Sequence, residues 1–246
     1  MITPTLFLAV VGLTAAAGQG PHAAGVPEDT IQTPDGPLII GFVGHASLYF
    51  RYDGKVIHVD PVSREGDYSA MPKADLILIT HAHGDHLDPD AIARIRTPQT
   101  IVVVAPVCQG KVDGAIVMKN GDTLTELGIP IEAVPAYNIV HKRPDGTPFH
   151  PKGEGDGYIL TFGGTRVYVA GDTEDTPEMK ALKDIDIAFL PMNLPYTMTP
   201  EMVADAAKVF RPRILYPYHY GDTDPQKLVA LLKDVPGIEV RIRDMR

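Results

Sequence analysis

The stretch THAHGDHLD, residues 80–88, decides how this chain is read. His81, His83, Asp85 and His86 place four potential metal donors within six positions. A solvated loop whose histidine caps the next helix would account for one of them, but not for the whole string. His81 and His83 are two apart, so on extended backbone both project to one side and suit one cation, while Asp85 and His86 open toward a neighbouring position. Gly84 is expected to let the backbone fold sharply between them.

The flanks place this string between a strand and a helix. Residues 76–79 (LILI) form a fully apolar run, as in a strand buried on both faces. After the string, Asp88 is a natural N-cap, Pro89 suits the first helical position, Asp90 favours the positive helix end, and Ala91, Ile92 and Ile95 form an apolar stripe. Upstream, LIIGFV (38–43), SLYFRY (47–52) and KVIHVD (55–60) read as strands, the last two joined by the hairpin pair Asp53-Gly54. Downstream, strands are expected at 101–104, 115–118, 131–134, 158–162 and 166–170, with Gly163-Gly164 turning the last two into a hairpin. Helices at 177–182, 200–210 and 225–232 then alternate with strands at 187–190, 214–216 and 238–242. This order fits an α/β fold of two sheets flanked by helices, with no internal sequence repeat.

Composition narrows the chemistry. The chain has 246 residues, enough for one domain with a continuous core. Cys108 is its single cysteine, so any metal must sit on His, Asp or Glu and no internal disulfide is possible. A formal charge of −9 argues against a nucleic-acid surface and fits a small-molecule substrate better. There is no G-x-S-x-G elbow, and Cys108 has only Lys111 near it, so no protein nucleophile is indicated. Residues 6–17 (LFLAVVGLTAAA) read as a signal peptide with an A-x-A cleavage site, although no basic residue precedes them. A disordered or membrane-tethered N-terminus is the alternative. Residues 18–37, rich in Gly, Pro, Asp and Thr, read as a linker, so a domain over 38–246 in a periplasmic or secreted protein is expected, without stable membrane insertion.

THAHGDHLD resembles the H-x-H-x-D-H motif of the metallo-β-lactamase fold superfamily of binuclear metallohydrolases. GHASLYF (44–50), DP (60–61), AGDT (170–173) and YPYHYG (216–221) follow in the order of that superfamily, so the resemblance covers residues 38–246. Within it, the chain is most similar to the branch of ascorbate-6-phosphate lactonase-like and N-acylphosphatidylethanolamine phospholipase D-like proteins, which share a GH pair in the opening hairpin. The resemblance implies an αββα sandwich with His81 and His83 on a first metal, Asp85, His86 and His219 on a second, and Asp172 bridging both. On their own, Asp172 and His219 each follow an apolar strand, where strand ends can deliver ligands to a common rim. Asp172 reads equally as a turn cap, and His219 as a core histidine packed among tyrosines.

Many relatives place a third ligand of the first metal directly after the strand matching AVPAY (133–137); here that residue is Asn138. His141 and His150 follow in a Gly-, Pro- and charge-rich segment that reads as a long active-site loop. HPKGEGDGY (150–158) resembles a variant in which the ligand is displaced along the loop, which favours His150, with His141 as the alternative. The resemblance also brings His45 near the site, in a substrate-contacting or proton-handling role; otherwise it is a turn residue. Asp60 is expected to orient a ligating imidazole, His58 to be packed, and His22 to lie in the linker. Lys142, Arg143 and Lys152 either recognise an anionic group or belong to a solvated loop.

The implied activity is hydrolysis, with a metal-bridging hydroxide attacking a small ester, lactone, amide or phosphodiester, and Asp85 orienting it or moving its proton. Zinc suits the imidazole-rich set, and manganese or iron would be accepted too. The competing expectations are a phosphodiesterase acting on lipid head groups or nucleic acid, and a metal-binding protein without catalysis.

Overall fold

The computed structural model describes residues 25–246, so the run 6–17 read as a signal peptide, His22 and the part of the expected linker before Gly25 lie outside the described residues. The first sheet runs in chain order through β1 (Glu28–Thr33), β2 (Gly36–Gly44), β3 (Ser47–Tyr52), β4 (Lys55–Val59), β5 (Leu76–Ile79), β6 (Ile101–Val104) and β7 (Ile116–Val117). The second holds β8 (Thr123–Glu126), β9 (Ile129–Ala136), β10 (Gly155–Phe162), β11 (Thr165–Val169), β12 (Ile187–Pro191), β13 (Ile214–Tyr218) and β14 (Glu239–Val240), again in chain order. In both sheets the first four strands pair antiparallel and the last three continue in parallel. One topology is thus used twice, although the sequence carries no matching repeat.

Alternation builds the layers. On β3, Leu48 and Phe50 enter the core between the sheets, while Tyr49 faces the other way. On β5, Leu76 and Leu78 point to that core and Ile77 and Ile79 to the outer layer, where α1 (Pro89–Ile95) packs Ala91, Ile92 and Ile95. This double burial is why the strand reads as an unbroken apolar run. Asp88 caps α1, accepting from the backbone N–H of Asp90 and Ala91. The outer face of the second sheet is covered by α2 (Pro177–Lys180), α3 (Pro200–Phe210) and α4 (Gln226–Leu232), with Phe210 of α3 edge-on to Tyr168. The result is the αββα sandwich expected from the sequence.

Several expectations need correction. The fold opens before Leu38: β1 lies inside the stretch read as a linker. It escaped notice because EDTIQT buries only Thr33 and has no apolar alternation. It is held by its ladder with β2 and by polar contacts from Glu28 to Arg51 (2.9 Å) and from Asp29 to Arg243 (2.6 Å) and Tyr216 (2.5 Å). β8, sequence TLTE, was not expected for the same reason; none of its residues is buried. The strands expected at 115–118 and 238–242 shrink to two residues each. Gly84 does not use a left-handed conformation, and a side chain there would meet open space. The turn is closed instead by the His86 and Leu87 N–H groups donating to the His83 carbonyl at 3.0 and 2.9 Å. Among the described residues, no helix is long and apolar enough to cross a membrane.

Candidate metal centre

Asp60, directly after β4, anchors the donor string. It is fully buried and accepts from the Thr80 N–H (2.8 Å), the Thr80 hydroxyl (2.6 Å) and His86 Nδ1 (2.8 Å). With Nδ1–H committed to a carboxylate, His86 turns its Nε2 inward. Burial works against charge on His86, but Asp172 and Asp60 outweigh it and push its pKa up to about 9. Asp60 thus orients an imidazole, as the sequence suggests.

Asp172 arrives from the other sheet. After β11 the chain passes through Gly171 at φ +65°, where an added Cβ would lie 2.9 Å from the Asp156 carbonyl and 3.1 Å from Thr80. Only glycine fits this crossing comfortably, and it places the buried Asp172 carboxylate among four imidazoles. Oδ1 lies 3.3 Å from His86 Nε2; Oδ2 lies 3.2 Å from His150 Nε2, 3.4 Å from His219 Nε2 and 3.8 Å from His81 Nε2. Burial alone would raise the Asp172 pKa, but His219, His86, His150 and His81 reverse this and hold it well below the carboxylate range. Burial, followed by neighbouring imidazoles, lowers both His81 and His83. Near neutral pH Asp172 is therefore ionised and His81 and His83 are neutral, while the two carboxylates beside His86 favour its charged form.

The donors fall into two groups in which the ligand atoms lie within 4.8 Å of one another: His81, His83, His150 and Asp172, and His45, Asp85, His86 and His219. In the first, His83 Nδ1 faces His81 Nε2 at 3.1 Å and His150 Nε2 at 3.3 Å. Ring nitrogens this close need a proton or a cation between them. In the second, Asp85 Oδ2 lies 3.3 Å from His45 Nε2 and 3.6 Å from His219 Nε2. Burial opposes ionisation of Asp85, yet these two histidines keep its pKa far below the usual value. The buried atoms His86 Nε2, His219 Nε2 and Asp172 Oδ1 have no hydrogen-bond partner. Converging, unsatisfied donors of this chemistry fit divalent cations.

His150 and His141, the two alternatives on the long loop, go to different places. His150 joins the first group; its Nδ1 and backbone N–H both donate to Asn138 Oδ1, at 2.9 and 2.7 Å. His141 turns away and pairs with Glu174 at 2.8 Å. Glu174 is fully buried and also accepts from the N–H groups of Ile139, Val140 and His141 and from Asn138 Nδ2. These N–H groups outweigh burial and lower its pKa. Glu174 thus fixes Asn138, which in turn fixes His150. The sequence reading did not find Glu174 and saw Asn138 only as a departure from its relatives, since neither residue belongs to a donor string.

His45 sits at φ +51° in the turn between β2 and β3, so it is both a turn residue and part of the second group. His58 is packed, as expected, with its ring between Tyr49 and Tyr68. Cys108 is buried in a 3-10 turn after β6. Lys152 is tied to Glu178 at 2.6 Å. The two halves are joined at the site by hydrogen bonds from Asp156 N to Thr80 O (2.9 Å), Tyr158 OH to Ile79 O (2.9 Å) and His219 N to His45 O (2.9 Å).

Comparison with known proteins agrees with this geometry. Residues 39–219 match the family described as the beta-lactamase superfamily domain. A UPF0173 metal-dependent hydrolase of Thermococcus onnurineus is 33% identical over 213 residues, covering 79% of this chain and 92% of the relative. A crystal structure named as a metal-dependent hydrolase from Parabacteroides distasonis is 53% identical with a TM-score of 0.86, covering 90% of this chain and all of the other. A metallo hydrolase of the archaeon Ignicoccus hospitalis is 27% identical with a TM-score of 0.69, covering 84% and 95% respectively. With its fold, its donor clusters and these relatives in agreement, the chain belongs to the metallo-β-lactamase superfamily and is one of its metal-dependent hydrolases.

Proposed function

We propose that this hydrolase works with two divalent cations, zinc in our reading, and cleaves a small ester, lactone, amide or phosphodiester. His81, His83 and His150 would hold one cation and Asp85, His86 and His219 the other, with Asp172 shared. The observation that carries this reading is the Asp172 carboxylate, whose two oxygens face imidazoles of both groups. When bound, such cations supply Lewis acidity, lowering the pKa of water and polarising the scissile group. The chain supplies the rest. Asp60 and Asn138 lock the tautomers of His86 and His150, which spares reorganisation during turnover. Asp85, partly exposed and beside His45, is placed to orient the attacking water and to hold its proton at Oδ2. The residue 6–17 run supports export to the periplasm or outside the cell, and the acidic chain supports a small-molecule substrate.

The test is to strip metal with a chelator, reload with zinc, manganese or iron, and screen esters, lactones, amides and phosphodiesters. Activity should return with metal and be lost in His81→Ala and Asp172→Ala. Full activity in the stripped protein would refute the proposal.

A further inference from the structure

Arg143 is a cation without an ion-pair partner among the described residues, and it lines the cavity over the metal centre. This cavity, of 230 Å³, is lined by Asp85, Asp172 and His219 of the donor groups together with Arg143, Phe149 and Tyr196. Arg143 stands on a small finger of the β9–β10 loop. The finger is closed by Arg143 N–H to Thr147 O (2.8 Å), Gly146 N–H to Arg143 O (2.9 Å) and an antiparallel bridge between Lys142 and Pro148. The guanidinium lies 5.1 Å from the Phe149 ring centre, and Phe149 meets Tyr196 edge-on at 5.1 Å. The nearby acid, Asp145, instead accepts from the Thr147 N–H at 2.9 Å. By contrast, Lys152 on the same loop is neutralised by Glu178.

A guanidinium backed by an aromatic ring keeps its fork of donors free and matches planar or tetrahedral oxyanions. We propose that Arg143 and Phe149 form an anion subsite, and that the substrate is a small molecule carrying a carboxylate or phosphate besides its scissile group, its apolar part lying against Phe149 and Tyr196. This rests on the hydrolytic reading of the same cavity. A cavity of this size, with an aromatic wall and a few polar groups, accommodates a small substrate.

The experiment uses the metal-loaded full chain and the Arg143→Gln, Arg143→Lys and Lys142→Gln variants, each checked for metal content and melting. Calorimetry compares phenylacetate and benzylphosphonate with neutral phenylacetamide, so that the two anion types are separate arms and the metal contribution cancels between variants. Arg143→Gln should lower the anion-to-amide affinity ratio by about ten-fold, Arg143→Lys by less, and Lys142→Gln should leave it unchanged. An unchanged ratio in Arg143→Gln, for both anions, overturns the subsite. A parallel assay compares nitrophenyl acetate with mono-nitrophenyl glutarate. If neither ester is cleaved while the affinity ratio still drops, the subsite stands and ester hydrolysis falls. If both are cleaved with the same preference in wild type and Arg143→Gln and the affinity ratio is unchanged, hydrolysis stands and the subsite falls.

Discussion

The two sheets follow one topology but equip the site differently. In the first half, β4 leads to Asp60 and β5 runs into four donors within six residues. In the second, the corresponding strand β11 leads to Asp172, while β12 runs into a donor-poor segment and the other candidate donors, His150 and His219, come from the β9–β10 loop and the end of β13. Asp60 and Asp172 thus follow equivalent strands, yet one carboxylate faces a histidine's far nitrogen and a threonine, and the other faces the near nitrogens of both groups. Position in the fold brings a carboxylate to the rim; Asp172, reached through the Gly171 crossing, faces the imidazoles of both groups, whereas Asp60 faces the back of His86. The first half builds a contiguous string, and the second supplies the carboxylate that lies between the two groups and the wall of the cavity.

Replacing the two equivalent carboxylates sharpens this comparison most. Asp172→Ala should reduce kcat/KM by ~10³-fold or more, because both cation positions lose a donor. Asp60→Asn should lower metal affinity by roughly 10–100-fold, since His86 keeps its place but loses the acceptor that sets its tautomer. Equal effects of the two would break the distinction drawn between them. Metal titration and steady-state kinetics on both variants decide it.

The loop of the second half can be broken by removing its anchor. Glu174→Gln should lower metal affinity by about ten-fold by loosening Asn138 and His150, whereas His141→Ala should leave metal content near the wild-type value. Loss of metal in His141→Ala with retention in Glu174→Gln would reverse the roles given to the two residues.

The smallest expected effect lies where the halves join. Asp156 is buried, accepts from Asn120 Nδ2, and leaves Oδ2 without a partner. Burial, opposed by that hydrogen bond, pushes its pKa up to about 7. A carboxyl raised in the folded state binds protons more tightly folded than unfolded. Wild-type stability from this group is therefore fully present below the ordinary carboxylate value and is lost as pH rises through about 7. Asp156→Asn keeps the side-chain shape and does not titrate. Its melting temperature should exceed that of wild type by ~2–4 °C above pH ~7, with the difference shrinking on acidification. A difference independent of pH would remove Asp156 as the cause.

The contrast between halves also explains what the sequence made legible. The contiguous string and its buried strand could be read directly, because periodicity and donor density coincide in residues 76–88. Asp172 and His219 needed a family resemblance, since a single carboxylate or histidine after a strand is common turn or core chemistry. Glu174, Phe149 and Tyr196 carried no local signal; their roles arise only when the long loop folds back over the second sheet. β1 and β8 were missed because edge strands bury little and hold by ladder bonds and ion pairs rather than by an apolar face. The twofold use of one topology left no trace in sequence, because the two halves reach the same pairing with different side chains.

The central claim is that donors from both halves converge on one two-cation site through Asp172. Metal content of the loaded full chain, measured by mass spectrometry after removal of excess ion, tests it directly. Wild type should hold about two equivalents per chain, and Asp172→Ala should lose metal from both positions. A single equivalent in wild type, retained unchanged in Asp172→Ala, would contradict it.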